Sequence, residues 1–134
     1  MKRLLLAIVL ALALYLPAYA LDAPDPAVTY NILIYANQDY ELNMTFKTDG
    51  VPENLTGRTY KMQAKKSGAA SPFLNFSSFV TNAATGQTRY RLTRATTRNN
   101  SDSAGTYDIM ETGADGRVKY RVKGTVRIIG TNTK

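Results

Sequence analysis

The chain holds 134 residues, carries 17 Lys and Arg against 10 Asp and Glu for a formal net charge of +7, and has no His, Cys or Trp. That length suits one domain with a real core. The missing His and Cys exclude the usual zinc and transition-metal sites and the Ser-His and Cys-His nucleophile pairs, so a non-enzymatic protein without cofactor is expected.

Lys2-Arg3 precedes an apolar run, Leu4–Leu16, then Pro17 and Ala18-Tyr19-Ala20. This is the layout of a secretory signal peptide, a hydrophobic helix over residues 1–20 with cleavage between Ala20 and Leu21. The run is short for a membrane span, which needs about 20 residues. A membrane partner is therefore expected only through residues 1–20, if they are retained. Residues 21–27 carry Pro24 and Pro26 and read as an extended linker. The remaining 28–134 read as a single domain.

Within it the hydrophobic pattern has the period of strands. Val28–Ala36 is apolar on both faces, with Tyr30, Ile32 and Ile34 on one side and Leu33 and Tyr35 on the other. It is either buried twice over or paired with a neighbouring subunit. Tyr40–Lys47 alternates cleanly, with Tyr40, Leu42, Met44 and Phe46 inward, and Asp49-Gly50 marks a turn. Leu55 sits in the loop that follows, placed to plug the core edge. Tyr60, Met62 and Ala64 define another strand. Phe73–Val80 reads as one or two short strands. Gln87–Leu92 sends Tyr90 and Leu92 inward and Arg89 and Arg91 outward. Arg94–Ser103 has no apolar period and reads as a surface crossover, and no helix is expected after Ala20.

Gly105–Gly130 is the organising hairpin. Val118, Tyr120, Val122, Val126 and Ile128 alternate with Lys119, Arg121, Lys123, Thr125 and Arg127, which predicts one apolar and one cationic face. Asp115-Gly116 supplies the reversal, and Gly124 is the expected site of a bulge or bend. The whole predicts an all-β chain: an antiparallel sandwich of about seven to eight strands.

Two likenesses follow from these segments. Ser103–Ile109, SAGTYDI, resembles the start of the penultimate strand of immunoglobulin-like domains. That resemblance implies that the Tyr107 hydroxyl bonds back to nearby backbone and that Ile109 stands where antibody domains carry a cysteine. More widely, QDYELNMTF, ENLTGRTYKMQAKKS, TGQTRYRLT, AGTYDI and DGRVKYRVKGTVRI resemble a domain of tailed-phage structural proteins. Its members include shoulder-like domains of upper baseplate proteins and small virion accessory proteins. The likeness spans roughly Gln38 to Ile129. It implies an immunoglobulin-like sandwich that docks on other virion proteins of the tail, baseplate, neck or capsid surface, in a symmetric homo-oligomer or multiple copies.

The candidate partner-binding residues are Tyr30, Leu33 and Tyr35 on the first strand and the cations Arg89, Arg91, Lys119, Arg121 and Lys123. The cations suit an acidic protein or an anionic glycan, although alternation alone also puts polar residues on a solvated face. Nucleic acid is not expected, because the tyrosines flanking these charges read as core. The alternative to a virion protein is a secreted, periplasmic or cell-surface binding module exported by residues 1–20.

Overall fold

The computed structural model describes residues 27–131. More than half of those residues are strand: β1 (Val28–Thr29), β2 (Ile32–Tyr35), β3 (Tyr40–Thr45), β4 (Lys47–Thr48), β5 (Val51–Pro52), β6 (Thr59–Lys65), β7 (Leu74–Asn82), β8 (Gln87–Leu92), β9 (Ala104–Thr112) and β10 (Val118–Ile129). A short helix, α1 (Arg94–Asn99), sits between β8 and β9. The fold class is all-β. The segments 1–20 and 21–26, with Ala18, Ala20 and Leu21, lie outside the described residues.

Eight strands form one curled sheet in the order β1-β10-β9-β6-β7-β8-β3, with β2 following β1 along the same edge of β10. β4 and β5 make a separate small hairpin, turned by Asp49 and Gly50 at positive φ. The curl comes from β7, whose two halves have different partners. Leu74–Phe76 pairs with β6, whereas Ser77–Asn82 pairs with β8. One nine-residue strand thus belongs to both halves of the sheet. The one or two short strands read from Phe73–Val80 are this one element.

The concave side holds the core: Ile32, Ile34, Met62, Ala64, Leu74, Phe76, Tyr90, Leu92, Tyr107, Ile109, Val122, Val126 and Ile128 are buried, and Leu55 plugs it from its loop. Most of these residues fall on the faces that alternation assigned. Val118 and Tyr120 do not; they are more than half exposed. The cause is a bulge, which lies three residues before its expected site. Register moves from Tyr120 opposite Met110 to Val122 opposite Ile109, so β10 spends an extra residue, Arg121, at that point. An extra residue inverts the parity of everything before it. Arg121 and Val122 therefore both face the core, and Val118 and Tyr120 turn to the convex side.

Gly124 serves close approach instead of a bulge. A Cβ there would overlap the Tyr30 carbonyl oxygen and crowd the Tyr107 ring at 3.1 Å. This is where the first strand breaks. Val28–Thr29 and Ile32–Tyr35 both run parallel to β10, and the two residues between them leave the ladder. Their polar groups stay satisfied. Tyr30 N donates to Lys123 O at 2.9 Å, Thr125 N donates to Asn31 Oδ1 at 3.0 Å, and Tyr107 Oη donates to Tyr30 O at 2.6 Å. Burial raises the Tyr107 pKa, which keeps the phenol protonated and a donor. The Tyr107 hydroxyl therefore bonds backbone, but distant backbone, in the link between β1 and β2.

The absence of an apolar period in Arg94–Ser103 did not rule out a helix, because α1 is held by polar contacts. Thr93 caps it, accepting from Thr96 N. Thr97 is buried and its hydroxyl donates to Gln38 O at 2.7 Å, tying α1 to the β2–β3 turn.

Gly124→Val is expected to cost at least about 3 kcal/mol, because backbone must move to admit the side chain. Tyr107→Phe should cost about 1–2 kcal/mol by leaving the Tyr30 carbonyl without its partner. Urea unfolding followed by circular dichroism measures both. A Gly124→Val protein of unchanged midpoint would contradict the packing of β1–β2 against β10.

Candidate docking surface

The predicted cations separate into three groups. Arg89 and Arg91 on β8 face outward as expected, and both approach Glu41 on the neighbouring β3, at 3.3 and 3.5 Å. Arg89 also donates to Asn43 Oδ1 at 3.2 Å. Cross-strand pairing of opposite charges stabilises this part of the sheet modestly, since all three side chains are wet.

Arg121 is no surface cation. The bulge turns it inward, where its guanidinium lies 4.6 Å from the centre of the Phe46 ring. It donates to Glu111 Oε2 at 2.6 Å and to Glu53 Oε1 at 2.5 Å. Arg58 joins the same two carboxylates, at 2.8 Å to Glu53 and 3.2 Å to Glu111. Tyr60 Oη completes the cluster by donating to Glu111 Oε2 at 2.8 Å, and its ring stacks on Phe46 at 5.2 Å. Two cations thus meet two anions at the edge of the core, Glu111 buried and the other three part-exposed.

This cluster was not legible by spacing. Glu53, Arg58, Glu111 and Arg121 come from the loop after β5, the turn before β6, β9 and β10. A charged residue at an inward position of β9, Glu111 two steps after Ile109, was the available signal, since a buried carboxylate demands a cation. The cluster also fixes the loop over the core edge. Glu53 N donates to Phe46 O at 2.9 Å, Thr48 Oγ1 donates to Glu53 Oε1 at 3.1 Å, and Leu55 N donates to Ala83 O at 2.8 Å.

Lys119 and Lys123, predicted on one face, are on opposite sides of the bulge. Lys119 lies opposite Glu111 on the core side, past the edge of the core, where it is exposed. Lys123 lies opposite Asp108 on the convex side. Leu33 and Tyr35 are also convex, 51% exposed each, while Ile32 and Ile34 beside them are buried. The first strand is thus apolar on both sides but buried on only one. Tyr30 is half-exposed. Asp115 and Gly116 form the β9–β10 loop: Asp115 Oδ1 accepts from Arg117 N at 3.0 Å, and Gly116 takes positive φ.

The carboxylate of Glu53 is held down at about pKa 2, from an ordinary 4.5, chiefly by the hydrogen bond from Arg121 and further by Arg58, against the opposing effect of its partial burial. A pKa depressed on folding stabilises the fold above about pH 4.5, and that contribution disappears as pH falls toward 2. Stability should therefore decline over that window. Glu53→Gln is expected to flatten the decline and to lower stability at neutral pH by about 2–3 kcal/mol. Arg121→Met should cost about 3–5 kcal/mol, since it leaves buried carboxylates short of a partner. Denaturant midpoints from pH 7 to pH 2 check all three, and an unaltered acid limb in Glu53→Gln would refute the assignment. No protein-family model and no curated protein matches this chain.

Proposed function

We propose that the chain is a non-enzymatic structural subunit of a tailed-phage particle, an immunoglobulin-like sandwich that docks on other virion proteins. The observation that carries this reading is where the resembling segments fall. QDYELNMTF covers β3, TGRTYKMQAKK covers β6, GQTRYRLT covers β8, and AGTYDI with DGRVKYRVKGTVRI covers β9 and β10. The segments that carry the likeness thus supply five of the strands that enclose the core. The division of β7 between β6 and β8 supports this reading, because a strand shared by two halves of a curled sheet is in keeping with a sandwich.

Docking is assigned to free edges and the convex face. Among the described residues β1–β2 is one edge and β3 the other, and the exposed Leu33 and Tyr35 stand beside the first edge. An unpaired edge is a template for another strand. Multiple copies around a symmetric particle follow naturally from such a contact.

The second reading is an exported periplasmic or cell-surface module, favoured by the leader-like residues 1–20. The protein is expected to copurify with intact particles at fixed stoichiometry, and its absence from purified particles would overturn the first reading. Mass spectrometry of the natural N-terminus separates the two: Leu21 supports export, whereas Met1 or Lys2 supports assembly in the cytoplasm.

A further inference from the structure

The convex face of β2, β10, β9 and β6 is chemically unlike the rest of the surface. Reading across the ladder, Lys123 lies opposite Asp108 and Asp108 opposite Gln63, while Thr125 lies opposite Thr106 and Thr106 opposite Lys65. Lys61 stands opposite Met110, and Arg127 opposite Ala104. Four cations therefore share the face with one carboxylate. Among the described residues Lys61, Lys65, Lys123 and Arg127 make no ion pair, whereas Arg89 and Arg91 on the other half have Glu41.

The same face carries apolar side chains at both ends. The bulge delivers Val118 and Tyr120, 53% and 57% exposed, beside half-buried Met110. At the other end Leu33 is next to Arg127 across the β2–β10 pairing. Strand spacing of about 4.8 Å and a rise of about 3.3 Å, over strands of 4, 12, 9 and 7 residues, give a face on the order of 500 Å². That is a little under two-thirds of the roughly 800 Å² that one partner contributes to a standard interface.

We propose that this face binds an acidic protein surface, with Lys65, Lys123 and Arg127 supplying charge complementarity and Tyr120 an aromatic anchor. The inference rests on the docking-module reading and names the partner's chemistry. Several features select a protein over other polyanions. The cations are spread about 10 Å or more apart by strand geometry. A carboxylate and neutral hydrogen-bonding groups, Asp108, Gln63, Thr106 and Thr125, occupy the space between them. Such a mixed centre matches discrete side chains, and aromatic residues with Arg mark protein interfaces.

The test uses the purified full chain and the random copolymer of glutamate and tyrosine as an acidic, aromatic-bearing polypeptide, with polyglutamate, heparin and phosphatidylglycerol vesicles alongside. The copolymer is expected to bind more tightly than polyglutamate, and Tyr120→Ser should abolish that difference. K65E/K123E/R127E should weaken copolymer binding by about tenfold or more, while K47E/R91E/R98E, with the same charge change elsewhere, should alter it less than about twofold. K65Q/K123Q/R127Q repeats the test without introducing anions, and circular dichroism verifies the fold of every variant. Equal weakening by both charge-reversal sets would overturn the proposal. So would tighter binding of heparin or vesicles through the same residues. The measurement is made on the isolated chain, so failure here leaves particle association standing, and absence from particles leaves the binding result standing.

Discussion

One extra residue in the last strand decides which side of the sheet each charge occupies. Without the bulge at Arg121, Lys119 and Arg121 would face solvent and Val118 and Tyr120 would enter the core side. With it, a guanidinium is delivered to two carboxylates that are anchored elsewhere, Glu111 on β9 and Glu53 on its loop. Drawing four charges partly out of water is unfavourable unless each has its partners, and removing one leaves the others short. A register slip in β10 would do the same. The pairing seen here is the one that brings Arg121 to both carboxylates.

A second constraint acts three residues further along the same strand. The chain crosses Gly124 at Tyr30, and only a residue without a side chain lets the backbone come so near. Tyr107 reaches up from β9 to bond the carbonyl exposed by that crossing. Strand β10 is thus gripped twice, by ions where it bulges and by a phenol where it is bare. Beyond the bulge its alternation is regular, and Val122, Val126 and Ile128 fill the core.

Much of this arrangement could be read from the residues. Alternation placed Met62, Ala64, Tyr90, Leu92 and Ile109 correctly, because a strand's side chains answer only to its own period. Asp49-Gly50 and Gly116 marked real reversals, because positive φ leaves a local signature. What escaped was non-local. The bulge depends on how β10 meets β9, and nothing within VKYRVKG distinguishes a glycine that permits a bulge from one that permits a crossing. The Glu53–Arg121 contact joins residues far apart in sequence, so no spacing rule reaches it. Helix α1 escaped for a different reason: its inward contact is the single hydroxyl of Thr97, invisible to a hydrophobic pattern. The convex face was half legible, since Lys123 was placed correctly while Lys61, Lys65 and Arg127 gained meaning only once β6, β9 and β10 were side by side.

The first and last described strands run in the same direction, Val28 beside Val122 and Tyr35 beside Ile129. Tension applied to β1 and β10 from their outer ends would slide one along the other instead of peeling them apart. Sliding strains all the rungs of a ladder together, whereas peeling breaks them singly. Stretching the domain along that line therefore loads the paired positions of β1 and β2 on β10 at once.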